Sequence, residues 1–101
     1  MIDNQNTTLK KVYDLWSNIK YPILTKSSVQ GYIAAYKYCD DILDVPFSQI
    51  KVPLIQKTIN KADGKLTTQK KIRGLFSELF IYAISNDIVN KNYADFVILG
   101  E

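Results

Sequence analysis

The residues of this chain that could do chemistry are cationic and hydroxylic, and they are concentrated. Between Lys57 and Arg73 stand Lys57, Lys61, Lys65, Lys70, Lys71 and Arg73 against one acid, Asp63, while the whole 101-residue chain has a net charge of only +3. The densest part reads Gly64-Lys65-Leu66-Thr67-Thr68-Gln69-Lys70-Lys71-Ile72-Arg73. Such a run suits a polyanion. Lysines neutralise phosphates, hydroxyls and backbone amides donate to phosphate oxygens, and amide or guanidinium side chains can meet base edges. An equally open reading is a solvated helix face on which Thr67 caps the helix and the lysines meet only water.

If a helix opens in this stretch, its cations sit at the end where aligned peptide dipoles favour anions. A bound phosphate would satisfy the dipole, the free amides and the lysines together. A second run, Thr25-Lys26-Ser27-Ser28-Val29-Gln30, opens in the same way, with hydroxyls, a cation, an amide and no acid. The candidate contacts are therefore Lys26, Ser27, Ser28 and Gln30 from the first opening. From the second come Thr67, Thr68, Gln69, Lys70, Lys71 and Arg73. Gln30, Gln69 and Arg73 are the candidates for base edges, and the lysines for phosphates.

Other chemistries find no residues. The chain has no histidine, which removes His-based acid/base catalysis, Ser-His or Cys-His nucleophile pairs and His-containing zinc sites. Asp40, Asp41 and Asp44 lack the alternating oxygens and the glycine of a calcium loop, and Gly64-Lys65-Leu66-Thr67 lacks the rest of a phosphate-binding P-loop. No catalytic residue, metal or cofactor is expected. Cys39 has no partner cysteine, the first residues have no apolar leader, and no apolar run suits a membrane span, so a cytoplasmic, non-membrane setting is expected.

The elements that must position these residues are helical. Leu9, Val12, Tyr13, Trp16 and Ile19 recur at three- and four-residue steps, which predicts a first helix over 8–20, begun by Thr7 or Thr8 and ended at Tyr21-Pro22. A second, over about 27–43, carries Val29, Ile33, Tyr36, Cys39 or Asp40, and Leu43 on its inner stripe, with Tyr32 beside it. Phe47 and Ile50 plug the core from a turn-rich connection. Pro53 suits the first position of a third helix over 53–62. The fourth starts near Thr67 or Thr68 and runs to about Val89 on Ile72, Leu75, Phe76, Leu79, Phe80, Ala83 and Ile84. Asn92 to Val97 adds one closing turn. The expected fold is all-α, a compact four-helix bundle plus a short C-terminal helical turn.

The order of these elements resembles the core-binding domain of the tyrosine recombinase, or phage integrase, family. The resembling stretches are TLKKVYDLWSNIK, LTKSSVQGYIAAYKYCDDIL, FSQIKVPLIQKTIN and LTTQKKIRGLFSELFIYAISNDIVNKNYADFV, with Tyr93 where the family usually has Pro. The resemblance implies a SAM-like helical domain that forms half of a clamp around duplex DNA, its second and fourth helices over the major groove. It implies a tail over 1–7, the DNA-binding domain over 8–97, and a linker beginning at 98–101. Its partners would be double-stranded DNA, the catalytic domain of the same parent chain and further recombinase protomers on the DNA. Cleavage and rejoining would belong to that separate domain, since this chain has one arginine and no histidine. The rival reading is a helical protein-interaction module with a basic face.

Overall fold

The computed structural model describes residues 6–100. Four helices, α1 (Leu9–Lys20), α2 (Lys26–Tyr36), α3 (Val52–Asn60) and α4 (Leu66–Ser85), form an all-α bundle closed by a 3-10 turn over Tyr93–Phe96. Among the described residues there is no strand, only an isolated bridge between Thr8 and Pro46. No helix of the described residues is long and apolar enough to cross a membrane.

Helix α4 is the central element and packs against each of the other three. Its three-four stripe, Ile72, Leu75, Phe76, Leu79, Phe80 and Ala83, is fully buried. Phe47 and Ile50 are buried with it, and Phe47 meets Phe80 at 4.7 Å between ring centroids. Ile84 leaves the stripe and is exposed. The helix stops at Ser85 rather than near Val89 because Asp87 adopts a left-handed conformation (φ 59°). The Ile88 N–H then bonds Ala83 O at 2.9 Å and the Asp87 N–H bonds Ile84 O at 3.1 Å, the paired reverse bonds that close a helix C-terminus.

Helix α1 begins as expected, with Thr8 Oγ1 accepting the Lys11 N–H at 3.2 Å. Its other leading amides are satisfied by a loop: Leu9 N–H bonds Val45 O and Lys10 N–H bonds Leu43 O, both at 3.0 Å. The Phe47 N–H in turn donates to Thr7 O at 2.7 Å, and Thr7 is buried, so packing begins one residue before the boundary expected at 8. Residues 1–5 of the expected tail, and Glu101, lie outside the described residues.

These bonds explain why α2 is shorter than its apolar pattern. After Tyr36 the chain tightens into a 3-10 turn over Lys37–Cys39 and then bends, which aims the carbonyls of Leu43 and Val45 at the start of α1. The inner face of α2 keeps Tyr36 and Tyr32 of the expected pattern and departs from it at Ile33. Tyr32, Ala35 and Tyr36 face the core, and Ile33 is exposed. Aromatic stacking decides this: Tyr36 lies parallel to Tyr13 at 3.5 Å, and Tyr32 meets Trp16 edge-on at 5.1 Å. Ile19, expected on the inner stripe of α1, is exposed where the helix ends. In α3, Val52 takes the first position and Pro53 the second.

Candidate nucleic-acid interface

The two helix openings singled out by charge lie beside each other. Ser28, Gly31 and Tyr32 of α2 and Lys71 and Gly74 of α4 line one notch of about 230 Å3. The lysine crosses the glycine closely, since a Cβ on Gly31 would stand 3.8 Å from Lys71 Nζ. The notch thus carries a hydroxyl and an ammonium from opposite walls. Tyr32 also lines the notch, and burial pushes its pKa up, with Glu78 adding to the effect.

The openings differ in how their amides are satisfied. At α2, Thr25 is the N-cap: its Oγ1 accepts the Ser28 N–H at 3.1 Å and its hydroxyl donates to Ser28 Oγ at 3.0 Å. At α4 the N-cap position is Lys65, and no side chain caps it. Neither Thr67 nor Thr68 serves as the cap, because Leu66 is already helical and the hydroxyls lie inside the first turn. The amide-rich, cation-flanked end of α4 is therefore open to an external acceptor.

Lys26, Ser27, Ser28, Gln30, Thr67, Lys70, Lys71 and Arg73 are exposed, and Thr68 is half-buried. Among the described residues, Lys26, Lys65, Lys70, Lys71 and Arg73 form no salt bridge. Lys26 and Gln30 border a groove on the α1 side of α2, together with Ser17, Tyr21 and Ile33. Arg73 lies on the other flank, in a cleft with Gly74, Ser77, Ala94 and Asp95. Ser28 and Lys71 thus hold the middle, with Lys26 and Gln30 to one side and Arg73 to the other.

Gln69 faces inward. It was expected to offer its amide to a base edge, but it is buried, at 3% exposure. Its Nε2 donates to Ala62 O at 3.0 Å and its Oε1 accepts the Gly100 N–H at 2.9 Å, so both ends of the amide are engaged inside the protein. Its place one turn before the inward residue Ile72 is the signal that it belongs to the inner stripe.

Lys61, counted in the basic segment, is also withdrawn. It bonds the Asp41 carboxylate, reaches Asp40 at 3.7 Å and donates to Tyr38 O at 2.9 Å. The hydrogen bond to Lys61 holds the Asp41 carboxyl below its ordinary range and raises the Lys61 ammonium in return. Cys39 is buried and its thiol is pushed up to about 12 by desolvation, which leaves it a packing residue at neutral pH.

No family model and no curated protein matches this chain. One solved structure does resemble it. It is a solution NMR structure of a fragment, residues 61–160, of a protein from Clostridium leptum, with a TM-score of 0.79 and 22% sequence identity over 93% of this chain and 89% of that one. At that identity the likeness shows the fold alone. It extends over nearly all of the bundle, so the neighbouring α2 and α4 openings stand on a scaffold that another sequence also builds.

Proposed function

We propose that this chain is the DNA-gripping, core-binding domain of a tyrosine recombinase that integrates or excises a mobile element. It holds duplex DNA through the adjacent starts of α2 and α4, while a separate catalytic domain of the parent chain cuts and rejoins strands. Further recombinase protomers assemble on the same DNA, in the cytoplasm. The observation that carries this reading is the placement of Ser28 and Lys71 on one notch, flanked by cations that form no salt bridge among the described residues. The fragment from Clostridium leptum is itself a piece of a longer protein, which supports reading this fold as one module of a larger chain.

Lys26, Lys65, Lys70 and Lys71 supply phosphate contacts, and the uncapped amides of α4 add dipole-aligned donors. With about four phosphates neutralised, the logarithm of affinity falls with the logarithm of salt at a slope of roughly −3 to −4. Gln30 and Arg73, at the flanks, are the groups left to read base edges. Titration of a fluorescent duplex at several salt concentrations tests this. The protein carrying Lys70→Ala, Lys71→Ala and Arg73→Ala should bind more weakly and with a shallower slope.

A protein-interaction module is the second reading. It is favoured by the exposed Ile19 and Ile81, which line one groove with Trp16 and Tyr82. That groove is formed by α1 and α4, apart from the lysines, so a protein partner seated there would be insensitive to the triple substitution.

A further inference from the structure

Two glutamines on different helices hold the last described residues of the chain. Gln56 of α3 pairs with both backbone groups of Ile98: its Nε2 donates to Ile98 O and its Oε1 accepts the Ile98 N–H, each at 2.8 Å. The other Nε2 hydrogen goes to Asn60 Oδ1 at 3.1 Å. Gln69 of α4 accepts the Gly100 N–H at 2.9 Å while donating to Ala62 O at 3.0 Å. These are tertiary fasteners, since the partners lie 42 and 31 residues apart. Between them the side chains alternate, with Val97 buried, Ile98 exposed and Leu99 half-buried, as on an extended segment lying against a surface.

The two fasteners differ in what release would leave behind. Gln56 is only partly buried and regains water. Gln69 is buried while the segment is docked, so loss of Gly100 takes away both the partner and part of the cover of its carbonyl oxygen. An amide presents a donor and an acceptor at fixed ends, so the Ala62 and Gly100 bonds are made together in one orientation. The side chain making them sits between Thr68 and Lys70, in the opening of α4. One buried group therefore ties the 97–100 segment, the turn after α3 and the basic helix start to one another.

We propose that residues 97–100 form a latched strap whose docking, through Gln69, fixes the basic start of α4, so that releasing the strap loosens that start. Resting on the DNA-binding reading, a consequence follows: duplex binding and strap docking are reciprocally linked, each favouring the other. Gln69 is then a positioning residue, acting on the DNA face without touching DNA.

The test is residue-resolved amide exchange on the full chain, with Gln56→Ala as the main variant because it cuts the strap at a site remote from α4. The Ile98 amide should exchange about tenfold faster, and the Lys70 and Lys71 amides several-fold faster with it. A protein in which Ile98 is released while Lys70 and Lys71 exchange as in wild type would overturn the proposal. So would an Ile98 amide that is not released at all. Gln69→Met, which keeps the volume and removes both bonds, should accelerate Gly100 together with Lys70 and Lys71; Gly100 alone responding counts against coupling. In the DNA arm, saturating mixed-sequence duplex should slow Ile98 and Gly100 exchange in wild type. If the Lys70→Ala/Lys71→Ala/Arg73→Ala protein binds duplex as wild type does, the DNA reading falls, and the exchange rates of the free variants still decide the latch.

Discussion

The openings of α2 and α4 read alike in sequence and are built differently. Thr25 closes the first by bonding the Ser28 amide, and its neighbours Lys26, Ser27 and Gln30 remain outside. The second has no side-chain cap, and its amide residue, Gln69, points inward. The difference teaches what similar composition can conceal. One helix start is locally complete, whereas the other is held from behind by a buried side chain and left open in front. An external anion has more to gain at α4 than at α2.

Substitutions can break this comparison. The largest contrast concerns anchoring: Phe76→Ala on the buried face of α4 should cost about 3–5 kcal/mol, read by chemical denaturation. Ile33→Ala on α2, where the side chain is 41% exposed, should cost less, about 1 kcal/mol. Comparable losses would mean that the two helices are anchored alike.

Next come the glutamines. Gln69→Ala leaves the Gly100 N–H and Ala62 O without their partner and should destabilise by about 1–3 kcal/mol. Gln30→Ala, at an exposed site, should stay within about 0.5 kcal/mol. The caps follow: Thr25→Ala should cost about 1 kcal/mol, whereas Thr67→Ala, which removes no cap, should change stability by no more than a few tenths. Equal effects at Thr25 and Thr67 would erase the asymmetry between the openings.

The smallest effect separates the paired lysine from the free ones. Because Lys61 holds the Asp41 carboxyl below its ordinary range, the pair's contribution is present at neutral pH. It is lost as pH falls below the ordinary carboxylate range and through the depressed value. Asp41→Asn should therefore flatten the acid limb of the stability profile slightly, both groups being exposed. Lys70→Ala should leave that limb unchanged.

Periodicity made the bundle legible wherever one face alone is buried, as in α1 and along most of α4. In the second helix it placed Tyr36 and Cys39 inward, with Tyr32 beside them, but it misjudged Ile33, which is exposed, because the buried face there is aromatic and small, Tyr32, Ala35 and Tyr36. The ends of α2 and α4 were hidden for another reason. They are set by tertiary bonds, from the 43–45 carbonyls to α1 and through the left-handed Asp87, and neither leaves an apolar pattern. At the site, charge located the two openings and the lysines between them. It could not tell Gln69 from Gln30, since an inward amide differs from an outward one only in a partner 31 residues away. Nor could it remove Lys61, whose acids, Asp40 and Asp41, come from the turn that follows α2.

In the proposed function, the open start of α4, with its lysines beside Ser28, grips duplex DNA. The most direct measurement is the salt dependence of duplex binding by wild type and by the Lys70→Ala/Lys71→Ala/Arg73→Ala protein, with helicity checked by circular dichroism. Weaker binding and a log–log slope shallower by about 2 are expected, from the loss of the Lys70 and Lys71 phosphate contacts. Wild-type affinity and slope in the folded triple variant would contradict it.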